Sequence, residues 1–223
     1  MPLAQRLHVL QQPDIAAPLK EASLTARLKD WTRLLTSAVE QSCRALGWRV
    51  AAKGFPLDLL PQAGQEYLGM DVMAFDVDEG KPKINWVFPV AVFELENSRA
   101  DERIAYSLWK ILCLRCPLRV VFAYRKDWQE ARELINELSA EIVPGIPMEE
   151  RSAFPGKTLI VLGSRGEGET FPWGYFRIWE LDQGEIVKFS PAWLRRPAFL
   201  RENLHLGRRL CACGRCCLCA DAA

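Results

Sequence analysis

The stretch LRVVFAYR, residues 118–125, is the feature that most restricts the fold. It is a nearly continuous apolar run, which is typical of a strand buried on both of its faces. The run LIVLGS, residues 159–164, has the same character. Together with the helical segments between the strands, these runs predict an α/β domain with a central mixed β-sheet flanked by helices.

Three helical segments accompany the strands. From Leu24 to about Gly47 the apolar residues recur at helical spacing. A second helix is predicted from about Arg99 to Cys116, with Asn97 or Ser98 as its cap. The third helix is WQEARELINELSAEIV, and it begins with a capping-box-like pair, Asp127 and Glu130.

The remaining strands are short and rich in Val, Phe and Ile. WRVAAKGF, YLGMDVMAFDV and KINWVFPVAVFELEN each predict a strand, and Pro89 within the last indicates a bulge or an edge position. YFRIWELDQGEIVKF predicts two strands around a DQG turn. The predicted order is therefore helix, three strands, helix, strand, helix, strand, hairpin.

Length and composition set the domain boundaries. With 223 residues, 49% of them apolar, the chain can form one substantial domain, which we expect over residues 23–190. Residues 1–22 are expected to be a loosely attached lead-in, and 191–223 a basic, Cys-rich tail. No secretory signal or membrane span is apparent, so the expectation is a cytoplasmic protein with no membrane partner.

The tail is unusual in its residues. Five cysteines lie in its last 13 positions, and its six arginines exceed its two acids by four charges. A thiolate-rich site for zinc or copper(I) is one option, although zinc sites usually draw on separated segments. A disordered appendage, a readthrough or frameshifted end, and a polyanion-binding segment are the alternatives.

Two glutamates at the end of a core strand raise the question of function. Glu94 and Glu96 are two residues apart and so share a strand face, and Asp71 can stand on the corresponding face of the preceding strand. Three converging carboxylates repel one another unless a divalent cation lies among them. Hard oxygen ligands of this kind suit magnesium or manganese.

This order of elements, with an Asp on the second strand and an acid on the third, resembles the PD-(D/E)XK nuclease superfamily. The resemblance implies a restriction-endonuclease-like core over about residues 24–125. Asp71 and Glu94 match the two acids of the family motif, whereas Glu96 stands where a lysine is usual. In some members that lysine migrates to another element, and Lys110 is the candidate here.

Two further points concern the candidate site. Helical spacing predicts Arg103 and Ser107 on the same side of the second helix as Lys110. Glu40 on the first helix is an additional candidate, because members of the superfamily often carry an acid there.

The resemblance implies metal-dependent hydrolysis of phosphodiester bonds, with nucleic acid, in particular DNA, as the partner. Asp71, Glu94 and Glu96 would form the metal and water group, with Lys110 as a helper. The alternatives are a nuclease-like domain that has lost catalysis and binds nucleic acid or a protein, and an ordinary interaction module with solvated acids. A homodimer that cuts both strands is left open.

Overall fold

A computed structural model describes residues 10, 12–58, 67–77, 86–151 and 156–189. The predicted Cys-rich tail over 191–223, with its optional zinc site, lies outside the described residues, as does the lead-in before residue 10. Within the described part, a seven-stranded mixed sheet is flanked by helices. The expected α/β class is confirmed.

The helices and strands follow the predicted order, with one additional helix at the start and a short one after α4. The helices are α1 (Pro13–Leu24), α2 (Leu28–Arg44), α3 (Asp101–Leu112), α4 (Trp128–Glu141) and α5 (Met148–Arg151). The strands are β1 (Arg49–Ala52), β2 (Val72–Phe75), β3 (Ala91–Leu95), β4 (Leu118–Arg125), β5 (Lys157–Ser164), β6 (Phe176–Asp182) and β7 (Glu185–Phe189).

The strands lie side by side in chain order. β1, β2 and β3 are antiparallel to one another, while β3, β4 and β5 are parallel. Each parallel pair is joined through a helix, α3 or α4, as parallel pairing requires. The sheet ends in the antiparallel pairs of β5 with β6 and β6 with β7.

Two apolar layers cover the sheet. On one face, alternate residues such as Phe93, Val120 and Phe122 pack with Leu19 of α1 and Leu35 of α2. The other face packs against α3 and α4 through a second set that includes Val92, Val121, Ile104, Ile111 and Leu134. β4 is buried along its whole length, as its composition predicts.

The segment before residue 23 differs from the expected lead-in. Residues 13–24 form α1, and its Leu19 and Ala22 are buried against α2 and the sheet. Prolines suggested irregular structure, but Pro13 occupies the first helical turn, where no backbone N–H is needed. The apolar burial offsets the hydrogen bond that Pro18 cannot make inside the helix.

The edge position considered for Pro89 and the side-chain cap expected for α3 are both wrong. Pro89 precedes β3, which is a central strand and not an edge. Neither Asn97 nor Ser98 caps α3; Ala100 is the residue before the helix, and no side chain caps it. The Asn97 side chain instead donates to Thr32 Oγ1 at 2.5 Å.

Gly156 at the entry to β5 offers a test of this packing. Its φ is +83°, and a Cβ atom there would lie 2.3 Å from the carbonyl oxygen of Pro117. We expect Gly156→Ala to lower the free energy of unfolding by about 2 kcal/mol, because the residue would be strained and crowded. Urea denaturation measures this difference. Gly145→Ala is the matched control, since a Cβ atom there meets nothing within 4 Å, and an equal effect of both changes would contradict the explanation.

Candidate active site

Asp71 and Glu94 face each other across neighbouring strands. β2 and β3 pair Val72 with Phe93, so the same antiparallel register one step further sets Asp71 opposite Glu94. Residues in such positions have Cβ atoms about 5 Å apart on the same face of the sheet. The predicted approach of these two carboxylates is therefore present.

Asp71 is held by the backbone of β3. Its Oδ2 accepts a hydrogen bond from the amide of Leu95 at 2.7 Å. This bond fixes one oxygen of the carboxylate next to the end of β3. The side chain keeps intermediate exposure to solvent.

Glu94 is a buried carboxylate with one cation beside it. Its residue is 5% exposed, and its Oε2 lies 2.8 Å from the Nζ of Lys110. Lys110 also donates to the carbonyl oxygen of Gly69 at 2.9 Å. Lys110 thus links α3, β3 and the turn before β2, and it places a positive charge beside the buried Glu94 carboxylate.

Burial and Asp71 alter the acidity of Glu94. Desolvation raises the pKa of Glu94 from 4.5 to about 7, and the nearby negative charge of Asp71 contributes to the increase. The hydrogen bond and charge of Lys110 and a backbone hydrogen bond from Asp71 oppose the increase without cancelling it. A carboxyl group so poised near neutral pH is a recurring property of functional sites.

One oxygen of Glu94 is unsatisfied. Glu94 Oε1 is buried and has no hydrogen-bond partner among the described residues. A buried oxygen of this kind normally has a partner, since leaving it without one costs about 1–3 kcal/mol. Glu94 Oε1 is therefore a buried oxygen that a cation or a hydrogen-bond donor could satisfy.

Glu96 does not join this pair. β3 ends at Leu95, and Glu96 Oε1 accepts a hydrogen bond from the amide of Ser98 at 2.6 Å. Among the described residues, no group of three or more His, Cys, Asp or Glu side chains is arranged to hold a metal ion. The expected group of three carboxylates is therefore corrected to the pair of Asp71 and Glu94.

The secondary candidates, Ser107 and Glu40, do not join the Asp71–Glu94 pair. Ser107 is 4% exposed and packs inward, so it does not lie on the exposed side of α3 with Arg103. Glu40 forms an ion pair with Arg44 on its own helix, and α2 packs on the other face of the sheet from α3. Neither residue belongs to the Asp71–Glu94 pair.

A group of cations near the site was missed from the sequence. A cavity of about 410 Å³ is lined by Arg99, Arg125, Lys126 and Arg165, and acidic side chains share its wall. Arg125 ends β4, which lies parallel to β3, so this cavity opens at the same edge of the sheet as the end of β3. These residues come from three separate segments of the chain, and their local charge patterns do not mark them.

Comparisons with known proteins add no relative: no protein-family model, curated protein or solved structure matches this chain. None of the helices in the described ranges has the length and apolar character needed to cross a membrane.

Proposed function

We propose that this chain is a magnesium- or manganese-dependent nuclease of the PD-(D/E)XK type, with a restriction-endonuclease-like fold, that hydrolyses DNA. One observation carries the proposal: the 2.8 Å ion pair between Lys110 and Glu94, beside Asp71. It supports a migrated lysine in place of the one that the motif has at residue 96. The helix, three-strand, helix, strand order from α2 to β4 supports the same fold.

The residues of the site fit a magnesium ion. Mg²⁺ is commonly bound by one or two carboxylates, with waters and substrate phosphates as its other ligands. Asp71 and Glu94 would hold it, and Glu94 Oε1 is buried without a hydrogen-bond partner among the described residues. When bound, the metal would polarise the phosphate and lower the pKa of a bound water.

The protein side chains would have separate roles. Glu94 and Asp71 present negative oxygens on one face of the sheet, and the amide of Leu95 keeps Asp71 in place. Lys110 remains a cation beside Glu94, where it can stabilise negative charge on the phosphate undergoing hydrolysis. The Glu96 carboxylate accepts a hydrogen bond from the amide of Ser98. Orientation of the attacking water is therefore assigned to Lys110.

Lys110→Ala tests the migrated lysine. We expect purified wild-type protein to cleave DNA with Mg²⁺ or Mn²⁺, and the variant to be slower by about 10²–10³-fold, because a positioned charge is lost. A gel assay with labelled single- and double-stranded DNA measures both rates. Lys29→Ala, an exposed lysine on α2, is the control. Cleavage by Lys110→Ala at the wild-type rate would refute this role.

A nuclease-like domain without catalysis is the second candidate. Glu96 in the lysine position and a pair, not a trio, of carboxylates favour it. Stabilisation of the fold by a divalent metal distinguishes the active nuclease from the nuclease-like domain without catalysis. A cation at one hundred times its Kd stabilises the native state by about 2.7 kcal/mol, which a melting curve detects. Absence of both cleavage and a metal-dependent shift would favour the second candidate.

A further inference from the structure

Two aromatic side chains are exposed on the helix that carries Lys110. Tyr106 is 59% and Trp109 53% exposed, and their rings lie 5.8 Å apart at 31° to each other. Both belong to α3, whose opposite side packs in the core through Ile104, Leu108 and Ile111. Adjacent exposed rings form an apolar patch, and contiguous exposed apolar patches can mark binding surfaces.

Tyr106 stands next to the proposed site. Arg103, Tyr106 and Lys110 follow the i, i+3, i+7 spacing, so they line one side of α3. Lys110 at the end of this row contacts Glu94. The aromatic pair is therefore about one helical turn from the residue that contacts the candidate catalytic carboxylate.

The cations at the start of α3 and in the neighbouring cavity that have no ion pair among the described residues favour a polyanion. Arg99 and Arg103 are exposed, and neither forms an ion pair with a described residue. Asp101 in the first turn of α3 is already paired with Arg125, whereas Glu102 remains exposed. The side-chain cations of Lys126 and Arg165, in the wall of the neighbouring cavity, likewise form no ion pair with a carboxylate of the described residues.

From this arrangement we infer that α3 binds an unpaired DNA strand, with its bases stacked on Tyr106 and Trp109 and its phosphates on Arg99 and Arg103. Aromatic rings stack on the faces of bases, which are open in a single strand and covered in a duplex. Cations along the same helix neutralise the adjacent phosphates. This inference rests on the proposed function and specifies its substrate: a single strand, or the unpaired part of a duplex.

Binding without metal tests this inference separately from cleavage. The probe is a labelled oligothymidine of about 16 nucleotides, compared with a duplex of equal length, in EDTA by fluorescence polarisation. We expect the single strand to bind more tightly than the duplex. Tyr106→Ala/Trp109→Ala should weaken single-strand binding roughly tenfold or more, whereas Tyr106→Phe/Trp109→Phe should retain it. Because these side chains are exposed, the melting temperature of both variants should change little.

Three results would overturn the inference. The first is that Tyr106→Ala/Trp109→Ala binds the single strand as tightly as the wild-type protein does. The second is that the wild-type protein binds the duplex more tightly than the single strand. The third is that the Ala variant loses dimerisation in sedimentation while it binds DNA normally. The last result would assign the rings to contact between two copies. DNA cleavage together with unchanged binding by the Ala variant would leave the nuclease proposal standing without this inference. Single-strand binding that depends on the two rings, without any cleavage, would leave this inference standing without the nuclease proposal.

Discussion

Glu94→Gln is expected to abolish metal-dependent DNA cleavage, with a loss of about 10³-fold or more. The substitution keeps the shape of the side chain and removes the charge that would hold a divalent cation opposite Asp71. In the proposed mechanism several kcal/mol of charge stabilisation at the phosphate would depend on that cation, and each 1.36 kcal/mol corresponds to tenfold in rate.

The control for this loss is an exposed glutamate on α3, the helix that carries Lys110. Glu102→Gln removes an exposed carboxylate from the first turn of α3 without touching Glu94 or Lys110. Its cleavage rate should remain close to that of the wild type. Retained cleavage in Glu94→Gln, measured with saturating Mg²⁺ and the same DNA, would remove Glu94 from the proposed mechanism.

The same substitution is expected to stabilise the metal-free protein at alkaline pH. Because the pKa of Glu94 rises from 4.5 to about 7 on folding, the folded state binds more protons than the unfolded state between these values. The contribution of Glu94 to stability is therefore complete below about pH 4.5 and is lost as the pH rises through 7. The shift corresponds to about 3 kcal/mol.

Gln cannot ionise, so Glu94→Gln should lack this decline in stability. We expect its free energy of unfolding in EDTA to exceed the wild-type value by up to about 3 kcal/mol at pH 8, with little difference near pH 4.5. Urea denaturation across this range measures the difference, and Glu102→Gln should follow the wild type. Parallel pH profiles for Glu94→Gln and wild type would show that Lys110 keeps Glu94 ionised and its pKa near 4.5.

Both expectations imply that the site lowers the stability of the metal-free protein. A buried carboxylate beside Asp71 is unfavourable in the metal-free protein, and Lys110 compensates only in part. A variant that is more stable and less active is the outcome expected when a side chain is present for function.

Much of the fold was readable from local patterns. β4 and β5 were recognisable as buried strands by their apolar runs, and Asp127 caps α4 through hydrogen bonds from the amides of Gln129 and Glu130. The DQG turn joins β6 and β7, with Gln183 and Gly184 both at positive φ. These features depend on residues close in sequence, so composition and spacing suffice to predict them.

The candidate site was predicted only in part. Asp71, Glu94 and Lys110 were named correctly as neighbours, since strand alternation and helical spacing set the face on which each lies. Glu96 was grouped with them because the strand was expected to continue to Asn97. The strand ends at Leu95, and the hydrogen bond from the Ser98 amide redirects the Glu96 side chain.

The sequence by itself determined the order of helices and strands from α2 onward apart from the short α5, the faces of the strands and the residue types available for chemistry. The tertiary structure alone decided that β2 and β3 pair in the register that opposes Asp71 to Glu94, that Lys110 contacts both Glu94 and Gly69, and that α1 packs on α2. The reason is physical. Register, burial and charge pairing depend on contacts between residues far apart in the chain, and these contacts form only when the apolar faces of sheet and helices come together.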